Sequence, residues 1–423
     1  MIGKFLPPST QRMRSTQQFS LRISVLALCF LCVLGGNSSA QEFKSIHPGV
    51  EYVLVEHKIG TDPVKINLLR LDLKKVRLDV HHAFEKAIGV EPTSEIGKRN
   101  NAIAAINAGF FRKDETPFSG DAAGALIIDG RVLSESVNSR ATLMIENGKK
   151  GTITMFGNFD TKSFLSFGND RRAALTISGF NRERKPGEAV LYDAALAKTL
   201  EDKSRTIEIL LGHCSDPKLG SRSEFSQISC REVEINRTMS RPSMSATTDY
   251  ILSMDDEYVR ANSQTELLAK LESLPKQKRK VSILTRLRDG GSIFLFDDGT
   301  DMTNGVSQLI KNGVISITWE QEKASKSFAE TRHPRTAVAK LKDGKFLMIT
   351  VDGRQPGVSV GMNLQELAEY LLSIGATDAM NLDGGGSTTM FLDGKVVNTP
   401  SDKEGERKVS DAIVVTLRKN ARR

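Results

Sequence analysis

The chain has 423 residues, 39% hydrophobic and 26% charged, an ordinary globular balance with room for one large domain or two smaller ones. Its formal net charge is +8, but Lys4, Arg12, Arg14 and Arg22 supply four of those charges before residue 41, with no acid among them, which leaves +4 for the remainder. So mild an excess argues against a dedicated nucleic-acid binder.

Residues 1–40 read as a signal peptide. A basic segment precedes an apolar run at 23–34, too short for a comfortable membrane span, and Ser38-Ser39-Ala40 offers small residues at a cleavage position. The expected mature chain starts at Gln41, has no stable membrane span and is periplasmic or secreted. Cys29 and Cys32 lie within the leader without the small-residue pair of a lipoprotein. Cys214 and Cys230 remain, and in an oxidising compartment their spacing permits a disulfide without requiring one. Two cysteines and six scattered histidines make no metal pattern. Neither metal nor cofactor is expected.

In chain order, 52–55, 66–69 and 76–80 read as strands. Thr93-Ser94 followed by Glu95 predicts a short capped helix to Asn100. The small strand 102–106 ends in Asn107-Ala-Gly-Phe-Phe111, which presents an amide either at a pocket floor or at a hairpin corner. Hairpin turns are expected at Asp129-Gly130, Asn147-Gly148, Asp343-Gly344 and Asp393-Gly394. Residues 181–288 are less regular and hold one amphipathic helix near 266–274, so 195–285 is expected to be a peripheral elaboration on one domain spanning 41–420. The clearest helix is 364–374, with Asn363 as N-cap and Gly375 as its stop. The class expected is α+β: a strand-rich mixed-sheet core, antiparallel hairpins dominant, with a few helices.

The candidate chemistry collects around Asn381-Leu-Asp-Gly-Gly-Gly-Ser-Thr388. Consecutive glycines let backbone N–H groups converge and let a ligand approach the main chain. The order strand 346–351, helix, strand entering Asn381 allows both strand ends to reach one rim, which would gather Asp352, Arg354, Asn381 and Asp383. Arg335, Arg354 and Arg407 suit forked recognition of phosphate, with Gly384, Gly385, Gly386, Ser387 and Thr388 as the backbone and hydroxyl side of an anion site. Asp383, Asp352 and Glu366 are the candidate acids, since glycoside cleavage commonly uses two carboxyl groups. Glu366 also reads as the capping-box partner of Asn363, and Asp352 as a turn residue.

These blocks resemble the phosphodiester glycosidase family, whose bacterial members are described as exopolysaccharide-related. The resemblance rests on Ile106-Asn-Ala-Gly-Phe-Phe111, Arg332-His-Pro-Arg-Thr-Ala337, Val351-Asp-Gly-Arg354, Gly361-Met362 with the helix after it, the glycine run, and Asn398-Thr-Pro400 with Gly405-Glu-Arg407. Weaker pieces are Gly179-Phe-Asn181 with Arg184, and Leu191-Tyr-Asp193. It is densest over 330–415. It implies hydrolysis of a sugar-1-phosphodiester at the glycosidic bond, and it carries over Asn107, Arg335, Asp352, Arg354, Glu366, Asn381, Asp383, Ser387 and Thr388. The segment 301–310 departs from the family by lacking a Gly-Gly and proline turn.

The function expected is an exported hydrolase of a sugar-phosphate or phosphorylated-glycan substrate, of N-acetylglucosamine type, in surface polysaccharide metabolism. A non-catalytic anionic-glycan binder of polysaccharide export and a metal-dependent phosphodiesterase are the alternatives. No nucleic-acid partner is expected, and the sequence does not fix the oligomeric state.

Overall fold

The computed structural model describes residues 42–168, 170–200, 206–217, 223–238, 244–262, 264–296 and 299–418. The leader reading for 1–40 lies outside them. Strands hold 48% of the residues and helices 14%, so the architecture is more nearly all-β than the α+β expected. The shortfall in regular structure foreseen for 181–288 is the main reason. The strand Ser226–Thr238 alternates buried Ile228, Cys230 and Val233 with exposed charges such as Arg231 and Glu234, so its period of two is masked in composition.

An eight-stranded sheet runs in the order 44–47, 50–59, 62–71, 346–351, 335–341, 376–381, 308–311, 314–315. It is buried on both faces. Val338, Met348 and Met380 point into one apolar cluster, shared with Leu78, Ile106, Leu143 and Ile413 of two five-stranded sheets. Their sequence neighbours Ala337, Ala339, Leu347 and Ile349 point into a second cluster, closed by the helix Leu364–Ser373. That helix lays Leu364, Leu367, Ala368 and Leu371 on the sheet. Each leucine so buried contributes roughly 2 kcal/mol.

A nine-stranded sheet spans 160–294 and packs Ile209, Leu211, Leu252 and Ile283 against Ile127, Met144 and Met302 of a neighbouring five-stranded sheet. Within the interval 195–285, the strands Thr206–Cys214, Ser226–Thr238 and Thr248–Met254 belong to it. Cys214 and Cys230 are directly opposed on adjacent antiparallel strands of this sheet and are joined by a disulfide.

Two local expectations need correction. Asn147-Gly148 is not the turn: it ends the strand Thr142–Gly148, Gly148 pairs with Gly151, and Lys149-Lys150 make the bend. Asn147 is held in the strand because its amide donates to Leu78 O (2.7 Å) and its oxygen accepts from Thr152 Oγ1 (2.7 Å). The first helix runs Thr93–Arg99 and makes no side-chain cap of its own. Glu406 substitutes from a distance, accepting from Ser94 N at 2.7 Å and Ser94 Oγ at 2.6 Å.

Candidate active site

The strands Phe346–Val351 and Ala376–Asn381 both pair antiparallel with Arg335–Leu341, one on each side, and therefore run in the same direction. Arg335 opposes Val351 and Ala337 opposes Asn381. Asp352, Arg354, Asn381 and Asp383 thus leave the sheet on one rim, at which Arg335 begins.

The loop after Asn381 is held by buried polar groups. Leu382 N donates to Thr336 O (2.8 Å) and Asp383 N to Ala108 O (2.9 Å). Asn107, at the end of a strand in another sheet, donates to Asp383 O (2.6 Å) and accepts from Thr336 Oγ1 (2.8 Å) and Thr389 N (3.1 Å). Its amide is fully committed to fixing this loop. Asn381 donates to Leu382 O (2.8 Å) and to Val306 O, and Val306 N donates back to Asn381 O (3.0 Å). The divergent segment 301–310 therefore lies directly behind Asn381.

The glycines are required by close approach. Gly385 has φ +62°, and a Cβ there would meet Arg354 Nη2 at 3.0 Å. A Cβ on Gly384 would lie 2.7 Å from Pro334 O, and one on Gly386 would collide with Arg407 and Asp402. Of the three N–H groups expected to face an anion, Gly384 donates to Asp383 Oδ1 (3.0 Å) and Gly385 to Pro334 O (2.9 Å). Gly386 has no backbone acceptor among the described residues. Ser387 N and Thr388 N close the turn on Gly384 O and Gly385 O, both at 3.2 Å.

The three candidate acids differ. Burial pushes Asp383 up to about 6, against the Ser387 hydroxyl, the Gly384 N–H and the positive charges of Arg407 and Lys113. Asp352 is 2% exposed and is raised by burial. Its oxygens accept from Thr399 N (3.1 and 3.2 Å), and Oδ1 from Asn398 Nδ2 (3.3 Å). Asn398 in turn holds Thr388 O (3.0 Å) and Met390 N (2.7 Å), so Asp352 braces the far end of the glycine loop. Glu366 faces its own helix start. It accepts from Asn363 N (3.0 Å) in a capping box and from Arg332 through both oxygens (2.7–3.1 Å).

The arginines divide in the same way. Arg335 is 1% exposed, and burial lowers it to about 10. Its Nε donates to Met362 O (2.8 Å), and its Nη2 to Phe328 O (2.7 Å) and Thr331 O (3.0 Å). Arg407 is chelated by Asp402 (2.7 and 2.9 Å) beside Gly386. Arg354 is exposed, lies over Gly385, and has no ion pair among the described residues. Its charge is close enough, with that of Arg335, to depress His333 beyond the effect of burial.

Around the loop, Asn381 Oδ1, Thr388 Oγ1, Thr389 Oγ1, Ser401 Oγ and His333 Nδ1 are buried without a protein partner. Such atoms are costly unless water or a ligand serves them. Asp402, Lys113, Thr389 and Ser401 join the surroundings of this loop without a local signal in the sequence that ties them to residue 383. Among the described residues no group of three or more His, Cys, Asp or Glu is placed to hold a metal ion.

Positions 229–416 match the family described as phosphodiester glycosidase. The chain is 37% identical over 110 residues to N-acetylglucosamine-1-phosphodiester alpha-N-acetylglucosaminidase of Bos taurus, covering 24% of this chain and 20% of the relative. It is 31% identical over 138 residues to the SPbeta prophage-derived uncharacterized protein YomE of Bacillus subtilis (strain 168), covering 29% and 21%. The chain spans about a fifth of the length of these relatives. A hypothetical protein from Synechocystis superposes with a TM-score of 0.63 at 18% identity, over 90% of this chain and 64% of that one, which shows a shared fold.

Proposed function

Starting from the chain's likeness to the phosphodiester glycosidases, matched over 229–416, we propose that it is an exported hydrolase that cleaves the glycosidic bond of a sugar-1-phosphodiester, with N-acetylglucosamine as the sugar. The observation that carries the reading is the state of Asp383. It is the one candidate acid neither chelated by an arginine nor spent on bracing a distant loop, and it lies near the charges of Arg407 and Lys113 at a glycine turn whose Gly385 abuts Arg354.

In this reading Arg354 takes the phosphodiester from the open side of Gly385, and the unpartnered hydroxyls of Thr388, Thr389 and Ser401 take the sugar or the non-bridging oxygens. Asp383, with a pKa of about 6, is mostly ionised at neutral pH and accepts the proton of the attacking water. The water oxygen bonds to the anomeric carbon as the bond from that carbon to the phosphate oxygen breaks. The bonding pair leaves with the phosphate, giving free sugar and a phosphomonoester. A phosphate leaving group needs little protonation, so cationic stabilisation by Arg354 and Arg407 replaces a dedicated general acid. Asn107, Asp352 and Arg335 act as positioning residues. A role in surface polysaccharide metabolism accords with the expected leader and with a phosphorylated-glycan substrate.

The test is hydrolysis of methyl-phospho-N-acetylglucosamine. Free sugar with methyl phosphate supports the reading. Sugar-1-phosphate with methanol means cleavage at phosphorus, and the glycosidase assignment fails.

A further inference from the structure

A cavity of about 670 Å³ lies between the nine-stranded sheet and the hairpin of Leu126–Ile128 and Arg131–Ser134, and shares no residue with the Asp383 rim. Two sequence blocks left without a role at the rim meet in its wall. Asn181 N donates to Leu191 O (3.0 Å), and Asp193 N to Asn181 Oδ1 (2.8 Å). Asp193 opposes Tyr250 directly across two antiparallel strands, so their side chains stand side by side on one face. Tyr250 is only 8% exposed, yet its hydroxyl has no partner in the protein. It lies among the charges of Arg131, Asp193 and Asp216, and burial raises it to about 12, so it remains an O–H donor at any working pH.

Size and charge restrict the occupant. The volume is that of a small-molecule site. The lining carries Glu85, Asp129, Asp193 and Asp216 against Lys86 and Arg131; Arg131 is paired with Asp216 at 2.8 Å and Glu85 with Arg99 and with His81, which leaves Asp129 and Asp193 against Lys86. This acidic balance opposes a phosphate, the reverse of the rim. Carboxylate acceptors beside a neutral O–H suit a ligand rich in hydroxyls, and Phe180, Leu191 and Val132 provide apolar surface for its C–H faces. Asp193 commits Oδ1 to capping Ala195 N (2.8 Å), which leaves its second oxygen for such a ligand.

We propose that this cavity is a non-catalytic binding site for an uncharged sugar residue, with Tyr250 and Asp193 as its principal polar contacts. Such a site would hold a neutral part of a glycan apart from the phosphodiester bound at the rim, and it does not depend on what the rim does.

The experiment uses the full chain carrying Asp383→Asn, so that no probe is turned over. Glucose, galactose and N-acetylglucosamine are titrated by ligand-observed NMR, with and without Tyr250→Phe. Removing an unpartnered hydroxyl leaves packing intact, so the phenylalanine variant should fold with unchanged or slightly raised Tm. The expected result is that at least one sugar binds and that Tyr250→Phe weakens it about tenfold, the loss of roughly one good hydrogen bond. Asp193→Asn should weaken it similarly, and Arg354→Ala should leave it unchanged. The proposal is overturned if none of the three sugars binds, if Tyr250→Phe leaves affinity as it was, or if Arg354→Ala abolishes binding. The first outcome means a water-filled cavity, the second a sugar held away from Tyr250, and the third that the sugar was at the rim.

Discussion

The rim around Asp383 and the nine-stranded sheet are buried by different means. In the sheet the interior is dominated by apolar side chains such as Ile209, Leu211, Leu252 and Ile283 in mutual contact. At the rim the buried groups include Asn107, Arg335, Asp352, Asn381, Thr389 and Asn398, each oriented by hydrogen bonds or left with a free polar atom. Apolar burial is non-directional and tolerates shape-conserving change. Directional polar burial fixes one loop conformation and fails when one partner is removed. The two regions should therefore answer mutation in different currencies: stability in the sheet, chemistry and loop geometry at the rim.

The largest effect should come from Asp383→Asn, which is expected to lower turnover about 1,000-fold, within the range for loss of a general base. Product release from the methyl phosphodiester measures it. The same substitution checks the pH dependence. The folded pKa of about 6 lies above the ordinary 3.8, so the folded state holds the proton more tightly. Stability contributed by the protonated form is complete below about pH 4 and is lost as pH rises through 6. Activity needing the ionised form should rise over the same interval, and asparagine should flatten both curves.

Next, Leu252→Ala should cost about 3 kcal/mol in denaturant unfolding while turnover per folded molecule is unchanged. A fall in turnover would break the division between the two regions. Arg354→Ala should lower kcat/KM about 100-fold with a native melting curve, as expected for one stabilising donor. Arg335→Ala should instead lose stability, because three carbonyls lose their donor. Equal behaviour of the two arginines would remove the distinction drawn between them. The smallest change is Asn363→Ala, about 1 kcal/mol from a lost N-cap, read as a shift in Tm with kinetics intact.

Features with a local cause were legible in the sequence. The helix at 364–373 follows from its apolar spacing and from Asn363 with Glu366, and the capping box is present. Asp129-Gly130 and Asp393-Gly394 turn with positive φ at both residues, as their identities suggest. Gathering Asp352, Arg354, Asn381 and Asp383 on one rim needed only strand, helix, strand. What escaped depended on distant partners. Ser94 looked like a cap but bonds to Glu406. Glu366 is claimed by Arg332, and Arg335 turns inward to backbone carbonyls. Asn147-Gly148 looked like a turn, but its neighbouring strand holds it straight. The strand content of 181–288 was obscured by charges on its exposed faces.

The Asp383 rim is assembled from distant parts of the chain. The ties that shape the Asp383 loop join Asn107 to residues 229 to 282 positions away, and Glu406 grips a helix 312 positions before it. The strand Asp411–Leu417 inserts between Val76–His82 and Ala104–Asn107, in the middle of its sheet. Contacts of such long sequence separation form late, because a large loop must close before any of them is rewarded. A chain emerging in sequence order would carry every acid and arginine of the rim through residue 407, yet have no assembled rim until its final strand arrived. An intact Asp383 loop would then report that the whole fold had closed.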